Sequence, residues 1–116
     1  MNTGQGEIDL DYLNTMSGGD ADMRATLLAM LIDELPREAF ILHDAGQRGD
    51  VAAIFQASHS LKSTLAYTGH AEAIRLNSQI EEATRQGQWG DEEQEQLKDL
   101  LVKITELIAG LTRLQG

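Results

Sequence analysis

The sequence feature that most restricts the fold is an apolar stripe near the C-terminus. Leucine and isoleucine recur there every three or four residues, at Leu97, Leu100, Leu101, Ile104, Leu107, Ile108, Leu111 and Leu114. Side chains at this spacing share one face of an α-helix, which must be buried against other elements. Asp91 with Gln94 three residues later resembles a capping box and predicts where this helix begins.

A second periodic segment begins after Asp20, which is a suitable N-cap. Its apolar positions are Met23, Leu27, Met30, Leu31 and Leu35, followed by Phe40, Ile41 and Leu42. Pro36 lies between the two groups, and because a proline inside a helix costs about 3 kcal/mol, we expect a kink there. The helix is predicted to end at Gly46, with a turn over residues 46–49.

Two further helices are predicted between these segments. Asp50 caps the first of them, and Gly69 ends it in a left-handed conformation that glycine adopts at little cost. The second runs from about Ala71 to Gln86, with its apolar face made of Ile74, Leu76 and Ile80. Near the N-terminus, the apolar residues between Ile8 and Met16 predict a short helix that ends at residues 17–19.

These segments predict an all-α protein: an up-down-up-down four-helix bundle with a short N-terminal capping helix. The chain of 116 residues is one domain's worth. We assign residues 8–116 to this domain and residues 1–7, which are polar and rich in glycine, to a flexible tail. Methionines at three positions are interpreted as core residues, namely Met16, Met23 and Met30.

Composition excludes several classes of function. The chain has 9 basic and 19 acidic residues, for a net charge of −10, and its basic residues form no stripe, so nucleic acid is a poor partner. Without cysteine it has neither disulfides nor a thiolate zinc site. With no secretory signal and no apolar run near 18 residues long, we expect a cytoplasmic protein without a membrane span.

The acidic clusters 81–82 and 91–93 are interpreted as exposed helix faces. The absence of paired Glu-x-x-His motifs argues against a di-iron bundle enzyme.

His59 lies on the wrong side of its helix for a core residue, because it points roughly 130° away from the arc of Ile54, Leu61 and Leu65. On a helical wheel its neighbours are small or polar: Ala52, Gln56, Lys62, Ser63 and Ala66. Small neighbours leave room for a partner, and Lys62 at i+3 brings an ammonium beside the ring. The wheel shows no carboxylate beside His59 that could orient it for hydrolysis. A neutral imidazole with a neighbouring cation suits a phosphoryl group, although a solvated surface histidine is the simpler alternative.

The run His59-Ser60-Leu61-Lys62-Ser63, followed at a distance by Gly69, resembles the histidine phosphotransfer (HPt) domains of phosphorelays, which share a His-x-Leu-Lys-Gly/Ser pattern. The resemblance covers nearly the whole chain, including the turn at 49–50, Pro36 and the pair at 80–81. It implies that His59 accepts a phosphoryl group from an aspartyl phosphate of a receiver domain and passes it to another response-regulator receiver. Lys62 then stabilises the phosphoryl charge, and Ser63 keeps access open.

The resemblance also implies a phosphocarrier without kinase activity of its own. It implies no cofactor and no metal, since Mg²⁺ belongs to the receiver. The partners are then receiver domains and a hybrid sensor histidine kinase, and we expect a monomer. Residues assigned to docking and access are Ser63, Gln56, Ala66, Ala52, Phe55, Gly69 and His70, of which His70 departs from the small residue usual after the glycine. Two alternatives stay open: a non-transferring adaptor that docks and blocks a receiver or kinase, and a bundle metalloenzyme.

Overall fold

The computed structural model describes residues 8–115 and is helical throughout, without a strand in that range. Its elements are α1 (Asp11–Ser17), α2 (Ala21–Arg48), α3 (Val51–Thr68), α4 (Ala71–Arg85) and α5 (Asp91–Gln115). The predicted all-α class is confirmed. The predicted tail over residues 1–7 lies outside the part of the chain that the structure describes.

Helix ends follow local capping chemistry. Asp20 begins α2 by accepting hydrogen bonds from the backbone N–H groups of Asp22 at 2.8 Å and Met23 at 3.0 Å. Asp50 begins α3 in the same way, through the N–H of Ala53 at 3.1 Å. Gly69 ends α3 with a φ of 62°, in the left-handed region as predicted. Caps of this kind depend only on neighbouring residues, so the sequence specifies them directly.

One predicted helix end and one predicted capping residue were wrong. α2 continues through Gly46 and ends at Arg48, because Gly49 is the residue that adopts the left-handed conformation. α5 begins at Asp91 as expected, but its capping residue is Gly90, whose N–H donates a hydrogen bond to the Glu93 carboxylate at 2.7 Å.

The four long helices pack around one core. α2 contacts α3 and α5, α4 contacts the same two helices, and α1 lies against α2 and α3. A ring of four helices results, in which α3 and α5 are not neighbours. Its largest fully buried side chains are Leu13, Leu31, Leu35, Leu42, Ile54, Leu61, Leu65, Ile80, Leu100, Ile104, Leu107 and Leu111.

Several residues predicted to be in the core are exposed, between 38 % and 69 % of their surface: Met16, Met23, Met30, Phe40, Ile41, Ile74 and Leu114. On α2 the reason is the phase of the helix. The buried positions Leu31, Leu35 and Leu42 continue in register through Glu38, so Phe40 and Ile41 rotate away from the core. Because the half-buried Glu38 is in line with these leucines, the apolar residues alone did not show which face of α2 is buried.

The helices of residues 8–115 include none that is both long and apolar enough to span a bilayer.

Candidate functional site

His59 is presented by the exposed face of α3. Ile54, Leu61 and Leu65 are almost completely buried and fix the rotation of the helix, which leaves the His59 side chain 60 % exposed. The predicted exposure of this histidine is confirmed. Around it, the structure also exposes the residues expected on its face: Ala52, Gln56, Lys62, Ser63 and Ala66.

A buried carboxylate from the neighbouring helix α4 holds the histidine. The Nδ1 atom of His59 lies 2.8 Å from Oε2 of Glu81, whose side chain is only 5 % exposed. Our interpretation of residues 81–82 as an exposed face was wrong for Glu81 and right for Glu82, which is 59 % exposed. The helical wheel showed no carboxylate near His59 because it compares residues of one helix, whereas this contact joins two. The resemblance, which included the pair at 80–81, was the available signal.

Three polar groups keep Glu81 ionised. The hydrogen bond from His59 contributes most to holding the pKa of the Glu81 carboxyl below its ordinary value, and the charges of Lys62 and Arg85 add to it against the opposing effect of burial. Lys62 Nζ lies 3.7 Å from Oε1, and Arg85 Nη2 lies 3.4 Å from Oε2. An ionised carboxylate only accepts hydrogen bonds, so Nδ1 of His59 carries the proton. In the neutral ring the lone pair is then on Nε2, the usual arrangement when one ring nitrogen donates to a carboxylate.

Phe55 completes the surroundings of the imidazole. Its ring is nearly parallel to that of His59, at 23° with centroids 5.9 Å apart. The guanidinium of Arg85 lies over the Phe55 ring, 5.3 Å from its centroid. Phe55 was predicted to belong to the docking surface. Half-buried one turn before His59, it packs against the ring of that histidine.

The structure corrects the docking role predicted for His70. This residue is only 2 % exposed, and its Nδ1 accepts a hydrogen bond from the Ala73 N–H at 3.1 Å, so it is the N-cap of α4. Gly69, in the same predicted set, packs against the backbone of Asp9 so closely that no side chain fits there. Both residues shape the junction between α3 and α4; Gly69 is only half-buried, and its assignment to docking stays a prediction.

Within residues 8–115, no group of three or more His, Cys, Asp and Glu side chains is arranged to hold a metal ion. The expectation that this chain works without a cofactor of its own remains a prediction.

The fold and the site together define a helical domain that presents one oriented histidine on its surface. The family model described as the Hpt domain matches residues 26–115, and the chain belongs to that family. Domains of this family are phosphotransfer proteins of two-component phosphorelays.

Two solved structures share the fold over almost their full length. The HPT domain of a sensor hybrid histidine kinase from Shewanella is 21 % identical, with a TM-score of 0.82 over 95 % of this chain and 94 % of that one. Histidine-containing phosphotransfer protein B (HptB) from Pseudomonas aeruginosa PAO1 is 18 % identical, with a TM-score of 0.83 over 98 % of this chain and 96 % of that one. No curated protein sequence matches the chain.

Proposed function

We propose that His59 accepts a phosphoryl group from an aspartyl phosphate of a receiver domain and passes it to a second receiver. The observation that carries this proposal is the 2.8 Å contact between Nδ1 of His59 and Glu81. Since that contact occupies one ring nitrogen, it leaves the lone pair of the exposed ring on Nε2.

The transfer is a displacement at phosphorus. The Nε2 lone pair attacks, an N–P bond forms, and the P–O bond to the receiver's aspartate breaks, so that the carboxylate leaves with the electron pair. The imidazole becomes cationic because Nδ1 keeps its proton, and the ionised Glu81 lies directly beside that new charge. Preorganised charge of this kind is the main contribution that a protein can make to phosphoryl transfer.

Lys62 is the group of this chain best placed to meet the phosphoryl oxygens. It lies one turn after His59, and its side chain is 63 % exposed, so it can turn outwards from Glu81. An ammonium forms short, charge-assisted hydrogen bonds with phosphoryl oxygens. Small exposed side chains, including Ala52, Ser63 and Ala66, leave space for the partner's surface around His59.

The proposal extends to the binding partners of the protein, its oligomeric state and its location. Receiver domains and a hybrid sensor histidine kinase would dock on this face of α3, and the Mg²⁺ that assists transfer would belong to the receiver. The chain would act as a cytoplasmic monomer, an up-down-up-down bundle without a cofactor or kinase activity of its own.

The test is to incubate the protein with a phosphorylated receiver and to follow an acid-labile, base-stable label. We expect label on the wild-type protein and on His43→Gln, a control at an exposed histidine of α2, but none on His59→Gln. Lys62→Ala should fold normally and take the label more slowly, and ATP alone should label nothing. Label on His59→Gln would contradict the proposal. Binding of receivers without any transfer would favour the adaptor.

A further inference from the structure

Arg85 contacts three groups around His59 although it lies on a different helix. It is the last residue of α4, one turn beyond Glu81, and its Nη2 lies 3.4 Å from Glu81 Oε2, the oxygen that also accepts from His59. Its Nε lies 3.4 Å from the carboxylate of Glu82, and its guanidinium covers the ring of Phe55. The guanidinium of Arg85 therefore has contacts with three side chains, although it is 54 % exposed.

The carboxylate of Glu81 needs a cation before transfer, while the imidazole of His59 is still neutral. Its side chain is 5 % exposed, and a buried carboxylate without a countercharge is strongly disfavoured. Among residues 8–115, two side chains that are cationic at neutral pH lie within 4 Å of this carboxylate, Lys62 at 3.7 Å and Arg85 at 3.4 Å. Lys62 is also the residue that we assign to the incoming phosphoryl group, and one ammonium cannot remain on Glu81 while it turns outwards.

We propose that Arg85 is a positioning residue that holds Glu81 ionised and on Nδ1 of His59 while Lys62 turns to the phosphoryl group. This inference rests on the proposed function. An ordinary surface ion pair contributes little to stability. The pair of Arg85 and Glu81 differs from it, because the glutamate is buried and the guanidinium of Arg85 is stacked on an aromatic ring. Arg85 thus stays with the Glu81 carboxylate while Lys62 moves to the phosphoryl group.

The experiment compares Arg85→Ala and Arg85→Lys with a matched control, Arg75→Ala. Arg75 is another exposed arginine of α4, paired with a glutamate at i−3 and ten residues from Arg85. Two quantities are measured in each variant. The first is the titration midpoint of the Glu81 carboxyl, followed by ¹³C NMR in the unphosphorylated protein. The second is the rate at which His59 is phosphorylated by phosphoramidate, a small donor that loses ammonia and requires no receiver.

We expect Arg85→Ala to raise the titration midpoint of Glu81 and to slow labelling about fivefold, the effect of losing one charge-assisted hydrogen bond to a positioning group. Arg85→Lys should restore most of the rate, and Arg75→Ala should match the wild-type protein in both measurements. In a Glu81→Gln background, Arg85→Ala should slow labelling no further, because Arg85 acts through the Glu81 charge.

An unchanged midpoint, an unchanged labelling rate in Arg85→Ala, or a slowing that persists in the Glu81→Gln background would each overturn the inference about Arg85 alone. A wild-type protein that phosphoramidate does not label at His59 would overturn the proposed function, and the role of Arg85 with it. Circular dichroism melting curves of all variants test whether each one folds.

Discussion

Ser58 and Asn77 are joined by three hydrogen bonds inside the core, directly beside the pair formed by His59 and Glu81. The Ser58 hydroxyl lies 2.8 Å from Asn77 Oδ1 and 3.0 Å from its carbonyl oxygen, and Asn77 Nδ2 donates to the Ser58 carbonyl at 3.0 Å. Both side chains are at most 2 % exposed. Since Ser58 precedes the histidine and Asn77 lies one turn before the carboxylate, this cluster fixes α3 and α4 at the register that the site requires.

Replacing Asn77 by alanine should therefore weaken both the fold and the site. The change removes the two hydrogen bonds made by the Asn77 side chain, while the Ser58 hydroxyl keeps the backbone carbonyl of residue 77, and this loss costs about 1 to 3 kcal/mol of unfolding free energy. Urea denaturation measures this loss, and labelling of His59 should slow as Glu81 loses its register. Gln79→Ala is the control, because Gln79 is exposed on the same helix. Equal stability of the two variants would contradict the structural role of Asn77.

Three helix caps could be predicted from the sequence, whereas the partner of His59 could not be found on a helical wheel. Asp20, Asp50 and Gly69 act on residues within one turn, so local chemistry determines them. The contact between His59 and Glu81 depends on how α3 rotates against α4, which is a property of packing.

The rotation of α2 about its axis was a second property that the spacing of apolar residues did not predict. Phe40 is apolar and Glu38 is charged, yet the glutamate is half-buried in line with Leu35 and Leu42, whereas the phenylalanine is 69 % exposed. Apolar residues counted near the proline gave the wrong phase for this part of the helix. The buried positions on both sides, Leu35 and Leu42, are seven residues apart and would have given the right one.

Glu38 itself gives a prediction about stability. Burial raises the pKa of its carboxyl, the Thr64 hydroxyl opposes that rise, and the charge of Glu34 adds to it. Among the described residues its Oε1 has no hydrogen-bond partner. Glu38→Gln should raise the melting temperature at pH 7, because it removes a partly desolvated charge. The gain should shrink as the pH falls and disappear well below 4.5, the ordinary pKa, where the carboxyl is protonated in both the folded and the unfolded state. Glu95→Gln, at an exposed position of α5, should change nothing.

His70 should make the fold sensitive to mild acid. Burial is the main cause that lowers its pKa from 6.5, and Lys103 adds to this while Glu106, Glu72 and a backbone hydrogen bond oppose it. Only the neutral ring can accept from the Ala73 N–H, whereas the unfolded chain binds a proton near pH 6.5. The stability from this cap is thus complete above pH 6.5 and is lost as the pH falls below that value.

An asparagine at position 70 would cap α4 without titrating, so it separates the effect of the cap from the effect of histidine protonation. His70→Asn keeps an acceptor that does not titrate, so its unfolding free energy should decline less than that of the wild-type protein between pH 7 and 5, by up to about 1 kcal/mol, the value of a helix cap. Chemical denaturation at several pH values measures the difference. Parallel pH profiles of the two proteins would show that the cap is not the acid-sensitive element.

The charge of Glu81 should matter more for transfer than its shape. Glu81→Gln keeps an oxygen that can accept from Nδ1 of His59 but removes the negative charge beside the ring that becomes cationic. Labelling from a phosphorylated receiver should slow about tenfold, as expected from the loss of about 1.4 kcal/mol of transition-state stabilisation. Glu82→Gln is the matched control, one residue further along and 59 % exposed, and should transfer at the wild-type rate.

The same substitution should change how stability responds to acid. The pKa of Glu81 is lowered, first by the hydrogen bond from His59 and then by Lys62 and Arg85, so its ionised form stabilises the folded state. That contribution is complete above pH 4.5, the ordinary value, and is lost as the pH falls through the lowered pKa. Glu81→Gln should therefore be less stable than the wild-type protein at pH 7, and the two should converge well below pH 4.5, as followed by thermal melting. A difference that stayed constant with pH would mean that packing around Glu81, and not its charge, accounts for the loss.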